Sequence, residues 1–419
     1  MSGYRANVGY GVLTRASGVG PAELPTGMNV YDTSNTTKSC IHNLTKRFGA
    51  GIDISINRNR NNNYKQDIGM REFTVVSSGM LDVDFTINGA FAPSCCDWLQ
   101  YGIMSEKVLI NSSSTLESSS GGAVTQGGVG YVVNGDTKGT TPISYEDFEK
   151  YKAMTTRPEN AVKAVEVFYY VNLDGPKYFD IGYEQINKNT TFGGKNELGV
   201  LLGCVIENFS ISYESGSDSA ITFSISGQAM SNWFTVTDDA FDYNAILDPV
   251  PAEIMVGGCV SVYDEGQKKY VAVAQTDSAS VTVTNNLTKL GNCLKLYYSS
   301  VAMGAQTIEV STSTYSNDPN KYMSYMYGYK SLDSKTKNYS VGKQPVPISK
   351  MLISSNNSTA ENQYNADTAT EFINIELKDA YIGTANRTYN VENAIMEEPD
   401  IRARKVRLVI GHTSTAGIS

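Results

Sequence analysis

Between Gly203 and Trp233 apolar and polar positions alternate with a period of two. Val205, Phe209, Ile211 and Tyr213 share one parity, and Asn208, Ser210 and Ser212 share the other. This is the pattern of a half-buried strand. Residues 214–218 (ESGSD) are turn chemistry, after which Ile221, Phe223 and Ile225 resume the alternation against Thr222, Ser224 and Ser226. The stretch predicts a long antiparallel hairpin with one apolar face, closed by Gly227.

A weaker copy lies upstream. Asp84–Gly89 reads DFTING and Thr222–Gly227 reads TFSISG. In both, a Phe, a hydroxyl residue and an Ile precede an Asn or Ser and a Gly. A strand of the Phe-[Ser/Thr]-[Val/Ile] type comes before each, at Phe73 and at Phe209, with a Gly turn between. Two accounts stay open. Antiparallel hairpins in any β-rich chain share such features, or the two form a pseudo-repeated sheet unit. In the second account Gly89 and Gly227 mark kinks or close backbone approaches.

Further alternation predicts strands at Gly51–Asn57, Ala164–Val171, Val256–Tyr263, Tyr270–Ala274, Ser280–Thr284, Leu294–Tyr298, Thr307–Thr312 and Glu371–Lys378. Tyr381–Gly383 and Val406–Ile410 complete the set. Helical signals are few. Ser94 with Asp97 reads as a capping box for a short helix that presses Trp98 and Leu99 onto the sheet. Ser144 with Asp147 opens a second helix through Met154, ended at Arg157 and Pro158. Residues 1–40 form an arm with little core of its own. Residues 111–141 are a Ser/Gly-rich flexible loop, and 313–365 are loop-like. The Pro-rich boundary at 248–251 and the closely spaced strands beyond it predict a small Ig-like β-sandwich at 248–345. It is inserted into a larger β domain of 41–247 plus 346–419. The expected fold class is mainly β: two packed antiparallel sheets, one or two short helices and the inserted module.

At 419 residues the chain exceeds one typical domain. Its 27 tyrosines against two tryptophans, with abundant Ser, Thr, Asn and Gly, favour strands and turns. The net charge of −9 argues against general nucleic-acid affinity. From Lys195 to Lys268 no lysine or arginine intervenes, whereas carboxylates recur throughout. Such a surface repels anions, unless cations such as Arg402, Arg404, Lys405 and Arg407 neutralise it across an interface. The first residues have no apolar segment of the signal-peptide kind, so a soluble chain made in a cytoplasm is expected. Its six cysteines, with no C-x-x-C pair, are expected to be reduced and buried.

Catalytic patterns are missing. Two histidines, His42 and His412, cannot supply a His-based triad or a zinc motif. No phosphate-cradling Gly-Lys loop occurs, and the acidic pairs 238–239 and 397–398 read as solvated loops. Neither an enzyme, a cofactor nor a metal is expected. The basic tip Arg58, Arg60, Asn62, Tyr64 and Lys65 is either a solvated hairpin end or an arm that docks on a neighbouring subunit.

Taken together, the strand at 51–57 with its polar loop, the DFTINGAF strand at 84–91, the Trp98 helix, the 203–228 hairpin and the ending 376–410 resemble a bacteriophage tail tube protein. The resemblance lies in strand layout and in Gly and Phe placement. It implies two antiparallel sheets packed with a helix, subunits joined in six-membered rings, and rings stacked into a virion tube that conducts DNA. Phe73, Phe85, Gly89, Phe209, Phe223 and Gly227 would then build the sheet core. The implied partners are other copies of the chain, further tail proteins such as sheath, baseplate or terminator, and DNA that passes without specific binding; no membrane is involved. The chain is much longer than simple tube proteins. The other function considered is a β-rich adhesin or receptor-binding protein of a virion or cell surface.

Overall fold

The computed structural model describes residues 5–60, 63–65, 75–77, 79–118, 131–133, 143–157, 162–170, 175–186, 196–214, 221–237, 241–249, 257–264, 269–291, 297–316, 347–356, 370–388 and 396–413. The fold is mainly β, dominated by one large antiparallel sheet system.

The predicted hairpin is its centre. β11 (Asn196–Glu214) is long enough to serve two sheets. Its first half pairs with β10 (Phe179–Ile186) and with β13 (Ser231–Thr237); β10 in turn pairs with β1 (Arg5–Gly11). Its second half pairs with β12 (Thr222–Ala229), putting Ile211 opposite Phe223 and Phe209 opposite Ile225. The change of sheet falls at Gly203, whose φ of 61° suits glycine. The Gly203 amide donates to the buried carboxylate of Asp180, which also takes the Leu13 amide and the Arg15 guanidinium. The N-terminal arm is thereby fastened to the joint. Leu13, Val30 and Cys40 add to a buried cluster with Leu198, Val200 and Leu202.

The sheet continues outward from β12 to β5 (Leu81–Ala90) and ends at β2 (Ala50–Arg60). β3 (Asn63–Lys65) and β4 (Val75–Ser77) extend the β2 excursion as a separate small hairpin.

The two similar hexapeptides are direct neighbours. Their antiparallel register sets Phe85 opposite Gly227, Ile87 opposite Ile225 and Gly89 opposite Phe223. A Cβ on Gly227 would sit 2.5 Å from the Phe85 ring, and one on Gly89 3.3 Å from the Phe223 ring. Each copy's glycine makes room for the other's phenylalanine. Both rings face the core, where Trp98 stacks obliquely on Phe223 at 5.2 Å and edge-on to Phe209 at 5.6 Å. The Trp98 indole donates to the Phe48 carbonyl at 3.0 Å.

Trp98 is delivered by the predicted short helical segment, but not by a Ser94 capping box. A 3-10 turn at Pro93–Trp98 leads into α1 (Leu99–Gly102), with Ala92 as the cap and no side-chain bond. Asp97 is taken instead by Lys46 at 2.6 Å and Lys107 at 2.5 Å. The second helix, α2 (Tyr145–Thr156), has the expected cap: Ser144 Oγ accepts from the Asp147 amide at 3.1 Å. α2 packs beside β6 (Ser105–Asn111), which pairs with β9 (Ala164–Tyr170). Within 111–141, β6 ends at Asn111, a turn follows at 112–115, and β7 (Leu116–Ser118) pairs with β8 (Tyr131–Val133); residues 119–130 and 134–141 lie outside the described residues.

The 248–345 stretch does not stand apart as an inserted sandwich. β14 (Gly257–Asp264), β15 (Lys269–Leu290) and β16 (Ser300–Ser316) join β17 (Ile348–Asn356), β18 (Phe372–Thr388) and β19 (Met396–His412). Pairing runs β14–β15–β16–β19–β18–β17 and back to β14, a closed cycle. β15 also pairs with β11, and β19 with β9, so the closed unit is continuous with the open sheet. Its inner residues, including Val260, Val310, Met351, Ile375 and Ile401, merge with Phe85, Phe209 and Trp98 in one core. Short predicted strands fuse into long ones here, and the loop-like 313–365 contains β17. The Leu294–Tyr298 strand falls mostly outside the described residues, and the described Tyr297 and Tyr298 are not strand.

Candidate assembly surface

On the reverse of the apolar core face, the polar parity of each strand lines up across the sheet. One row runs Asp53, Asn88, Ser224, Ser210, Thr282, Glu309 and Arg402, each opposite the next on adjacent strands. A second row runs Ser55, Thr86, Ser226, Asn208, Thr284 and Thr307. The face thus crosses from β2 through β5, β12, β11, β15 and β16 to β19. Its side chains bond to one another rather than to the core: Asn208 Nδ2 donates to Thr284 Oγ1 at 3.2 Å, and the Ser212 and Ser280 hydroxyls lie 3.0 Å apart. A shallow recess bounded by Asp53, Asn88, Ser210, Ser212, Thr222 and Ser224 lies in it.

Charge is sparse and internally matched. Lys289 bridges Asp82 at 2.8 Å and Asp84 at 3.2 Å, and Arg402 meets Glu309 at 2.9 Å. Asp53 adds a further exposed carboxylate. The two rows offer neither an aromatic platform for bases nor a cation track for phosphates, the two features single-stranded or duplex nucleic acid needs.

The β2 border of this face is an edge. Among the described residues β2 pairs only with β5. Its apolar positions Ile52, Ile54 and Ile56 are half-buried, whereas the equivalent positions of β5 and β12 are fully buried. A long edge strand with incompletely covered isoleucines is a template for another strand. β13 is also paired on one side only among the described residues. It exposes Phe234 at 53 %, Val236 at 52 % and Trp233 at 38 %.

The basic tip is split by the structure. Arg58 is tied within the subunit: its guanidinium donates to Tyr183 Oη at 2.5 Å and Glu197 Oε1 at 2.7 Å, and lies 5.1 Å from the Phe234 ring centre. Burial pushes the Tyr183 hydroxyl up to about 12, against the Asn232 hydrogen bond and the Arg58 charge, which lower it. Arg60 is exposed at the end of β2. Tyr64 and Lys65 lie in β3, and Asn62 and Phe73 lie outside the described residues. The core residues Phe85, Phe209 and Phe223 are all buried, with Gly89 and Gly227 beside them as described.

Not foreseen was the extension of the polar face onto β15 and β16, although Val281 and Val283 alternating with Thr282 and Thr284 carries the signal. Also not foreseen was a buried polar chain behind α1. Lys107 contacts Asp97 and Glu166, Glu166 meets His412 at 3.2 Å, and the Cys96 thiol donates to Glu166 at 3.4 Å. Burial, then the Glu166 charge, pushes the Cys96 thiol well above its ordinary range, so it is an inert thiol rather than a nucleophile. Burial opposes the Lys107 charge, but Glu166 and Asp97 hold its pKa above the ordinary lysine range. This chain anchors α1 to β6, β9 and β19. Cys40, Cys95, Cys96, Cys204 and Cys259 are free and buried, as expected. Among the described residues no cluster fit for a metal ion occurs. No family profile and no curated protein sequence matches the chain.

Proposed function

We propose that the protein is a virion structural subunit of the phage tail tube class. Copies join into stacked six-membered rings, and their polar sheet faces line a bore that conducts DNA. The observation that carries this reading is the continuous face of small hydroxyl and amide side chains from β2 to β19, opposite a fully apolar core face. A conduit for a polyanion works best with a wall that offers phosphates nothing to hold. The two rows supply mostly Ser, Thr and Asn, and their one cation, Arg402, is matched to Glu309. The free β2 border gives the means of closure, because an edge left open in the monomer is satisfied when a neighbour's strand adds to it.

Electron microscopy of the purified protein tests the reading. Hollow tubes or stacked rings are expected. Trimeric fibres would favour the adhesin alternative, and dispersed single particles at every concentration would remove the tube reading.

A further inference from the structure

Where β17, β18 and β19 run side by side, lysines oppose one another across adjacent strands. Lys350 is opposite Lys378, and Lys378 is opposite Lys405. All three are exposed, as is Arg404 beside them. Like charges set directly across a strand pair destabilise it, so this ladder works against the barrel that carries it. Glu376, on the same strand as Lys378, is held by Arg407 at 2.6 Å. Among the described residues none of the four cations has a carboxylate oxygen within 4.0 Å. Aromatic rings border the ladder. Lys350 rests over the Tyr263 ring at 4.5 Å, and Tyr263 meets Tyr270 edge-on at 5.3 Å. On β18, Tyr381 is 40 % exposed and lies opposite Arg402. Asp379 between them takes a left-handed φ of 52°, which aspartate adopts more readily than most residues. Around it Leu377, Ala380 and Ile382 are buried, whereas Lys378 and Tyr381 both open outward from the barrel.

A cation track with stackable rings beside it is what single-stranded nucleic acid needs. The polar rows offer neither; this patch offers both. We infer that Lys350, Lys378, Arg404 and Lys405 hold the phosphates of a single-stranded nucleic acid, with Tyr381 stacking on one of its bases. An acidic protein segment would use the cations but leave the exposed Tyr381 ring without a role. The net charge of −9 repels a polyanion elsewhere on the chain, which confines contact to this patch. β17 and β18 contribute to neither polar row, so the site is separate from the face proposed to line a bore. Binding there does not depend on whether copies assemble into tubes.

Fluorescence anisotropy of a short labelled oligothymidylate, titrated with the full chain at several salt concentrations, tests the assignment. Binding is expected to weaken with salt along a log–log slope of about −2 to −3, the value for roughly three or four phosphates of a single strand. Lys378→Glu places a carboxylate between Lys350 and Lys405, so the ladder becomes internally matched. The variant is expected to melt no lower than the unmodified protein, yet to lose affinity on the order of tenfold or more at low salt. Lys378→Arg is expected to keep the affinity. Tyr381→Ala is expected to weaken binding about fivefold or more through lost stacking. Oligouridylate is expected to bind as well as oligothymidylate, because phosphates and base faces are common to both; binding of oligouridylate alone would overturn the shared site. No binding at low salt, or binding that Lys378→Glu leaves unchanged, would overturn the inference. Equal affinity for a short duplex, with Tyr381→Ala without effect, would also overturn it and assign the patch to phosphates alone. Displacement by polyglutamate as readily as by unlabelled oligothymidylate would overturn it in favour of an acidic protein segment.

Discussion

The molecule solves the same problem in two ways. Among the described residues the wall β2–β5–β12–β11 is an open sheet that stops at a strand with one partner, whereas β14 to β19 close on themselves and have no edge along the cycle. Both are built from the same alternation: Ile52, Ile54 and Ile56 on β2 repeat as faithfully as Ile373, Ile375 and Leu377 on β18. Yet the β18 residues are fully buried and the β2 residues only half so. Alternation sets which face a side chain takes, and the number of neighbouring strands sets how far it is covered. An open wall beside a closed barrel is where an assembling subunit would leave its unsatisfied bonds.

The closed half gives the largest expected effect. Removing residues 250–345 takes away β14, β15 and β16, half of the cycle, and strips β11 and β19 of long partners. The deleted protein is expected to be insoluble or to lack cooperative unfolding, because β17 and β18 would expose the apolar faces that close the barrel. A soluble protein with a sharp thermal transition would restore the 248–345 stretch as an independent module.

In the open half, Phe223→Ala removes a ring that is 3 % exposed and packed against Trp98 and the Gly89 backbone. A cost of about 3–5 kcal/mol is expected in urea unfolding monitored by near-ultraviolet circular dichroism. Unchanged stability would undo the register on which the polar rows depend. Gly227→Ala probes the same crossing from the other side. Its methyl group would meet the Val205 carbonyl oxygen and, at 2.5 Å, the Phe85 ring, so a loss of about 1–3 kcal/mol or more is expected from overpacking. The double variant Gly227→Ala, Phe85→Ala should lose only somewhat less than the sum of the two single changes, since the clash with the ring goes but the one with the Val205 carbonyl stays.

How much of this could be read from the chain follows the range of the interactions. The β11–β12 hairpin, its register parity, the α2 cap at Ser144 and the burial of Phe85, Phe209 and Phe223 all depend on residues close in sequence. They were legible for that reason. The two Phe–Gly hexapeptides looked like repeats, but that they pair with each other depends on contacts more than 130 positions apart, which periodicity does not encode. The closed barrel was missed for the same reason. Strands separated by loops of Pro and Asn read as a compact insert until β17 and β18 are known to complete the cycle. The Ser94 capping box failed because Asp97 has stronger partners: two ammonium groups, against one amide. The polar face was half legible, as parity on each strand without the order of the strands.

Smaller effects separate the edge from the centre. Arg58→Ser removes an ion pair with Glu197 in which the two side chains remain 35 % and 26 % exposed. A loss of about 0.2–1 kcal/mol is expected, most of it at low salt. Arg60→Ser, at the exposed end of the same strand, is expected to fall within about 0.5 kcal/mol of the unmodified protein. Thermal melts at two salt concentrations distinguish them. An Arg58→Ser protein with unchanged melting but impaired assembly would return Arg58 to an intermolecular role.

The smallest effect on the monomer carries the most information about the face. Ser224 lies at the middle of the first polar row, between Asn88 and Ser210, with its side chain half-exposed. Ser224→Asp adds a carboxylate where no core contact is lost, so monomer stability should change by about 0.5 kcal/mol or less. If the row lines a bore, each subunit's added charge stays hydrated and tubes form with normal diameter and a more acidic wall. If the row is instead pressed against a neighbour, the carboxylate is desolvated without a cation to meet it, and assembly fails while the monomer stays folded. Electron microscopy beside a thermal melt reads both quantities on one preparation. A folded Ser224→Asp protein that forms no tubes would move the polar face from the lumen to the subunit interface.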